Sequence, residues 1–409
     1  MAKNGLKPEI RFAGFTEDWE QRKLGGVTDR VQGNDGRMGL PTLTISAANG
    51  WLDQKDRFYD NIAGNEQKNY TLLKKGQLSY NHGNSKLAKY GVIFELQNYD
   101  EALVPRVYHS FKAKENVAPS FIEYLFATKR PDKELGKLIS SGARMDGLLN
   151  ISFDDFMSIE IPVPTIKEQI KISSFFRNLD NLITLHQRKY DKLIDFKKAM
   201  LEKMFPKDGA DVPEIRFAGF AGAWERRKLD EQVLFYSGLT YSPSDVVEGH
   251  GTLVLRSSNV HGGEIVNADN VYVSSKAVNS DNVQVGDIVV VVRNGSKSLI
   301  GKHAQIKETM NNTVIGAFMT GIRYKQADFI NALLSTPQFY SEIKKNLGAT
   351  INQITTGTFR EMQFHFPNTV EQKYIGDFFR HLDHLITLHQ QELEKLKNIK
   401  KSLLGKMFV

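Results

Sequence analysis

A chain of 409 residues, 41% hydrophobic and 25% charged, has apolar material for two to four globular domains and needs no staple. It contains no cysteine, which excludes zinc ribbons, thiol catalysis and disulfide frameworks and fits a reducing cytoplasmic setting. A formal net charge of +7 slightly favours a polyanionic partner, nucleic acid first, over a merely solvated basic surface. The first twelve residues carry Lys3, Lys7 and Arg11 without an apolar run, so no secretory signal is expected. The longest strongly apolar stretch, 288–292, is far too short to span a bilayer, so no membrane partner is expected.

In chain order, residues 8–24 (PEIRFAGFTEDWEQRKL) form a lead-in. Its Phe12, Phe15 and Trp19 suit anchoring against helices better than caging an aromatic ligand. Arg22 and Lys23 are either phosphate contacts or solvated charges. Strands are expected at 42–46 and 91–97, and a helix at 119–128 with Pro119 in its first turn. Turn signals fall at Asn34-Asp35-Gly36, Asn49-Gly50 and His82-Gly83-Asn84. Eight residues of this half are suited to base edges or phosphates: Asn49, Trp51, Asn81, His82, Asn84, Lys86, Arg106 and Arg144.

After Pro164 the chain runs 41 residues without proline or glycine, to Pro206. That length spans about 60 Å if wholly helical. Phe176, Leu179, Ile183, His186, Tyr190, Leu193, Lys197, Met200 and Met204 step alternately by three and four, a heptad seam. Phe175, Leu182 and Leu185 widen the apolar stripe, so the helix is expected to touch more than its seam partner. His186 reads as a register-fixing polar residue before a metal ligand or proton carrier, and Lys197 can snorkel out of the seam.

The second half repeats the first. Residues 213–229 (PEIRFAGFAGAWERRKL) match 8–24 at thirteen of seventeen positions, repeating the aromatics as Phe217, Phe220 and Trp224 and the basic pair as Arg227-Lys228. Residues 378–390 (FFRHLDHLITLHQ) match 175–187 at eleven of thirteen. The offset is 205 in the first match and 203 in the second, so the poorly matching stretches between them are of nearly equal length. Fainter echoes survive there, such as LTISAAN at 43–49 and LVLRSSN at 253–259. The second seam is Phe379, Leu382, Ile386, His389, Leu393, Leu396, Lys400, Leu403 and Met407, with Phe378, Leu385 and Leu388 beside it. Two helices separated by a folded domain are expected to pair antiparallel within one chain.

The second globular half is expected to have strands at 252–256, 287–293 and 317–324, and a helix at 328–346 broken at Pro337. Its candidates for DNA contact are Asn259, His261, Arg293, Asn294, Ser296, Lys297, Thr350 and Gln353. Asn and Gln pair bidentately with adenine, Arg and Lys with guanine; Lys, Ser and backbone N–H groups hold phosphates. For any single residue a turn or surface role comes first. The case rests on the set.

The fold class implied is α/β: two mixed α/β domains joined by two long helices that form an antiparallel intramolecular coiled coil with pseudo-two-fold symmetry. The division expected is 1–160, 161–206, 207–364 and 365–409. Catalytic and metal motifs are missing. GSKSLIGK at 295–302 has one residue too many for a phosphate-binding loop, and His303 stands where Ser or Thr would hold magnesium. No Asn-Pro-Pro-aromatic or Asp-Pro-Pro-aromatic run is present, and Pro131-Asp132 lacks a nearby acidic-x-Lys partner. His381, His384 and His389 share a helix without an acidic partner. A stand-alone enzyme is therefore the weaker reading, beside a third, a coiled-coil scaffold that does not bind DNA.

The repeated PEIRF-AGF-x3-WE-x-RKL lead-in, the IPVP-x3-EQ element at 161–169 with its echo FHFPNTVEQ at 364–372, and the FF-R-x-LD-x-LITLHQ helix start resemble the specificity subunit of type I restriction–modification enzymes. The resemblance covers essentially the whole chain. It implies two target recognition domains, each reading one part of a split double-stranded DNA site, on a coiled coil that sets the gap. It implies docking of two modification (methyltransferase) subunits, joined by motor-nuclease restriction subunits. S-adenosylmethionine, ATP and magnesium would then belong to those partners, and none to this chain.

Overall fold

The computed structural model describes residues 6–58, 64–83, 85–139, 148–347 and 352–409. Asn84, Arg144 and Thr350 lie outside the described residues. Contacts divide the chain into two compact units, Met1–His186 with Glu392–Val409, and Gln187–Gln391. The division falls inside the two long helices, Ile166–Lys203 and Thr369–Lys406. Each helix gives its first half to one unit and its second half to the other.

In the first unit a four-stranded antiparallel sheet runs in the order Thr28–Arg30, His109–Ala113, Leu78–Asn81, Val92–Glu95. The helix Pro119–Ala127 packs on the last of these strands and buries Phe121, Ile122 and Leu125. In the second unit the corresponding sheet runs Leu234–Ser237, Met319–Arg323, Ile288–Val291, His303–Gln305. Ile288–Val291 is buried on both faces, as a continuous apolar run requires. A second sheet of this unit includes the parallel pair Thr252–Leu255 and Thr313–Ile315. The expected helical break is made by Pro337, which opens the helix Pro337–Asn346, where the Thr336 hydroxyl accepts from Phe339 N at 3.3 Å. The five expected strands are all shorter than expected, 42–46 and 252–256 by one residue and 91–97, 287–293 and 317–324 by three. Gly91 sits at φ +79° before Val92, and the Asp287 carboxylate is turned back to accept from Gln284 N before Ile288.

The repeated motifs have one structural explanation, given twice. The lead-in strand Glu20–Lys23 pairs antiparallel with Glu160–Val163, and Glu225–Lys228 with Gln363–Phe366. Arg11 of the first PEIRF binds the fully buried Glu168 carboxylate through Nε and Nη2, both at 2.7 Å. Arg216 of the second binds Glu371 in the same way at the same distances. Gln169 and Gln372 donate back to the carbonyls of Pro164 and Pro367, fixing the start of each long helix. Ile10 N donates to Lys406 O, and Ile215 N to Lys203 O, both at 2.9 Å. Trp19 packs on Phe121 and Phe408, Trp224 on Phe205 and Phe329.

Helix pairing is antiparallel within each unit. In the first, Phe176 packs on Phe408 while Asp180 takes the ammonium of Lys400. In the second, Phe379 packs on Phe205 while Asp383 takes the ammonium of Lys197. Advance along one helix is thus retreat along the other. Lys197 and Lys400, expected to snorkel, reach across the seam to a carboxylate instead. Phe176, Leu179, Phe379 and Leu382 are buried. Ile183, His186, Leu193, Met200, Ile386, His389, Leu396 and Leu403 are half-buried. The flanking Leu182, Leu185, Leu385 and Leu388 are exposed.

Candidate nucleic-acid interface

In the first unit Asn49 is exposed at the tip of the hairpin joining Leu43–Ser46 to Gly50–Asp53. Lys86 and Arg106 are also exposed. Trp51 is half-buried with its indole N–H donated to Glu95 O at 3.1 Å. Asn81 is committed twice, donating to Ile45 O at 3.2 Å and accepting from Gly83 N at 3.1 Å. His82 is buried between the carbonyls of Leu149 (2.7 Å) and Val107 (2.9 Å). It is a tie within the fold, with no edge for a base. His82 stacks on His109, whose centroid is 4.8 Å away and whose imidazole burial holds at about 4, hence neutral.

His82, Arg106 and His109 border a cleft of about 760 Å³ that also includes Arg30, Gln32, Asn150 and Phe153, whereas Asn49, Trp51, Asn81 and Lys86 do not line it. The Arg30 guanidinium lies 4.2 Å over the Phe153 ring. Neither residue was singled out from the sequence, and nothing in their local pattern marks them.

The second unit brings its candidates closer together. Asn294 donates to Ser257 Oγ at 2.8 Å, joining the loop after Ile288–Val291 to the turn after Thr252–Leu255. Arg293 is exposed and lies 4.8 Å over the Phe318 ring. Gln353 pairs with Arg293 through an isolated backbone bridge, and Asn352 donates to Gly295 O at 2.8 Å. Ser296 and Lys297 are exposed on the same loop, and His261 is exposed at the end of the short strand Val260–His261. Asn259 is the correction. It is fully buried, donates to Ala268 O (2.7 Å), and accepts from Arg256 N (2.9 Å), so it serves loop geometry. GSKSLIGK is a loop between two antiparallel strands, with His303 buried against Gly301 O and Ser335. It does not open an α-helix as a phosphate loop does.

The loops correspond between units. Leu149 N donates to His82 O, and Ile354 N to Val292 O. The isolated bridges Gly83–Leu148 and Arg293–Gln353 follow one residue on in each first-named strand. The same platform therefore carries His82-Gly83 in one unit and Val292-Arg293 in the other. Among the described residues no cluster of His, Asp or Glu is arranged to hold a metal, and no helix is long and apolar enough to cross a membrane.

Two α/β units with unlike polar loops on a twice-repeated helical frame define a tandem-repeat protein. The sequence model described as "Type I restriction modification DNA specificity domain" matches residues 16–194 and 223–398, and the chain belongs to that family. The MjaVIII specificity subunit of Methanocaldococcus jannaschii is 26% identical over 293 residues, 69% of this chain and 68% of the relative. The putative MjaX specificity subunit of the same organism is 23% identical over 98% of this chain and 95% of its own length. Among solved structures, the type I system S subunit of M. genitalium superposes with a TM-score of 0.60 at 15% identity, covering 98% of this chain and 99% of that one. A chain from a type I R-M system assembly gives 0.51 at 15% identity, covering 97% and 99%. Both likenesses show a shared fold.

Proposed function

We propose that this chain selects the DNA site of a type I restriction–modification complex, each α/β unit reading one part of a bipartite asymmetric sequence. The observation that carries the reading is where the two copies agree and where they differ. The Arg–Glu clamp, the Lys–Asp pair and the tryptophan anchor are reproduced contact for contact. The loops that leave the shared platform are not: exposed Lys86 follows it in one unit, and exposed Arg293, Ser296 and Lys297 in the other. A conserved frame suits equivalent partners, and unlike loops suit unlike DNA segments.

In this reading the long helices act as spacer and as the dock for two modification subunits. Leu182 and Leu185 on one helix, and Leu385 and Leu388 at equivalent places on the other, are the exposed apolar contacts that support it. Restriction subunits join that assembly. The chain itself does no chemistry, and S-adenosylmethionine, ATP and magnesium are bound by the partners. The four-segment division 1–160, 161–206, 207–364 and 365–409 separates readers from frame.

The test is to exchange residues 25–160 for those of another family member and map methylated adenines made by the assembled methyltransferase. One part of the methylated motif should change while the other part and the gap are kept. An unchanged motif would refute the reading.

A further inference from the structure

The turn before the second strand of each four-stranded sheet exposes an apolar side chain at the same place in both units. Leu78 pairs with Phe111, and Ile288 with Ile322. Gly76 N donates to Leu96 O and Gly286 N to Ile306 O, so Leu78 and Ile288 occupy equivalent positions. Counting back four residues from Phe111 and from Ile322 reaches Val107 and Phe318. Both carbonyls lie against the platform residues already aligned, though through different groups: Val107 O is 2.9 Å from the His82 ring Nε2, and Phe318 O accepts from the Val292 backbone N at 3.0 Å.

Val107 is 52% exposed and Phe318 54%. A single exposed apolar residue needs no explanation. The same turn exposing one in both units, amid residues otherwise free to diverge, does. Each stands beside an exposed arginine: Arg106 adjoins Val107, and Arg293 lies over one face of the Phe318 ring. Phe318 also stands on the apolar side of a cleft of about 680 Å³, with Leu239, Tyr241, Val246 and Met319, facing Arg256, Ser257 and Ser258 on its polar side. In the major groove, the apolar feature that distinguishes one base from the others is the thymine 5-methyl group, and an arginine beside it suits guanine.

We propose that Phe318 in the second unit, and Val107 in the first, read a thymine by packing on its 5-methyl group. The inference rests on the DNA-reading function above and adds a specificity-determining contact to it. The arginines fix orientation, and the apolar tip supplies the discrimination.

The experiment uses the methyltransferase assembled from this chain and its modification subunits. Once the methylated motif is mapped, each thymine of the site is replaced in turn by deoxyuridine, which lacks only the methyl group. With the wild-type chain, one replacement in the half-site read by the second unit should lower kcat/KM by roughly five- to tenfold, the lower part of the range for one base contact. Phe318→Ala should show the same loss on the thymine duplex and no further loss on the deoxyuridine duplex. Phe318→Leu should keep part of the preference. Val107→Ala should behave likewise at the other half-site alone.

The proposal is overturned if no deoxyuridine changes the wild-type rate by more than about twofold, a result that needs no variant to fold. It is also overturned if the Phe318→Ala loss and the deoxyuridine loss add. A wild-type complex that methylates no bipartite site would sink the functional reading, and this contact with it. Methylation of such a site without any methyl effect would sink this contact alone.

Discussion

Glu123 shows how one side chain sets a pH response. It accepts from Glu95 N at 2.9 Å beneath the helix Pro119–Ala127. Burial raises its carboxyl to about 7, opposed first by the Glu95 backbone hydrogen bond and then by the charge of Arg177, with the charges of Glu95 and Asp180 adding to the rise. A carboxyl raised on folding contributes stability that is fully present below its unfolded pKa and is lost as pH rises through about 7. His109 has the opposite sign, because its lowered pKa costs stability as pH falls. The readout is therefore the difference between wild type and Glu123→Gln in denaturant melts. That difference should move in favour of the variant between the unfolded value of 4.5 and about pH 7 and level off above it; a flat difference across that window would contradict the assignment.

Asn259 and Arg293 make a second contrast at this scale. Asn259→Ala removes a buried amide that serves several backbone groups, and should cost about 1–3 kcal/mol in a thermal or chemical melt while leaving the methylated motif unchanged. Arg293→Ala should leave the melt within about 0.5 kcal/mol of wild type, since its side chain is exposed. Its effect should appear in methylation rate at the half-site read by the second unit.

At the scale of elements, the lead-in segments and long helices hold each other through a buried charge pair. Glu168 and Glu371 have no exposed surface, and each has its arginine at 2.7 Å. Arg11→Ala or Arg216→Ala would leave a buried carboxylate unpaired, which costs about 3–5 kcal/mol. Both variants should be destabilised, as measured by urea unfolding, and Arg216→Ala the more, because Arg216 also donates to Gly222 O at 2.6 Å and Ala221 O at 3.3 Å. A larger loss from Arg11→Ala would contradict that ranking. The clamp was half legible in advance. Both the Arg of PEIRF and the Glu of the EQ element stood out as repeated, but nothing in either segment says that they meet across about 155 residues. That follows from where the lead-in strand pairs.

For the whole molecule, the exposed leucines on the two helices are where assembly is expected to be decided. Leu182→Asp with Leu185→Asp should cost one modification subunit, and Leu385→Asp with Leu388→Asp the other, each leaving a complex one subunit short by native mass spectrometry. Equal loss of both partners from either double variant would contradict two similar docks. The seam and its flanking stripe were readable because helical periodicity is local, and an apolar position every three or four residues needs no tertiary information. The globular halves were readable only in part. Strand and helix positions followed from apolar runs and prolines, whereas the sheet order depends on pairings distant in sequence.

The sequence by itself determined that a frame is used twice, which residues line the helix seam, and that the loops carry side chains of the types that suit bases and phosphates. Repetition and periodicity are properties of the string of residues, so they survive without coordinates. Only the tertiary structure decided which loop residues face outward. Asn49 and Asn259 are the same residue at the same place in the LTISAAN and LVLRSSN echoes. Asn49 sits at an open hairpin tip, exposed, whereas Asn259 ends a 3-10 turn that folds back on Ala268 and Asn270 and buries it. Side-chain chemistry was identical in the two. What differed was the chain packed above it, and that is set by segments far from either motif.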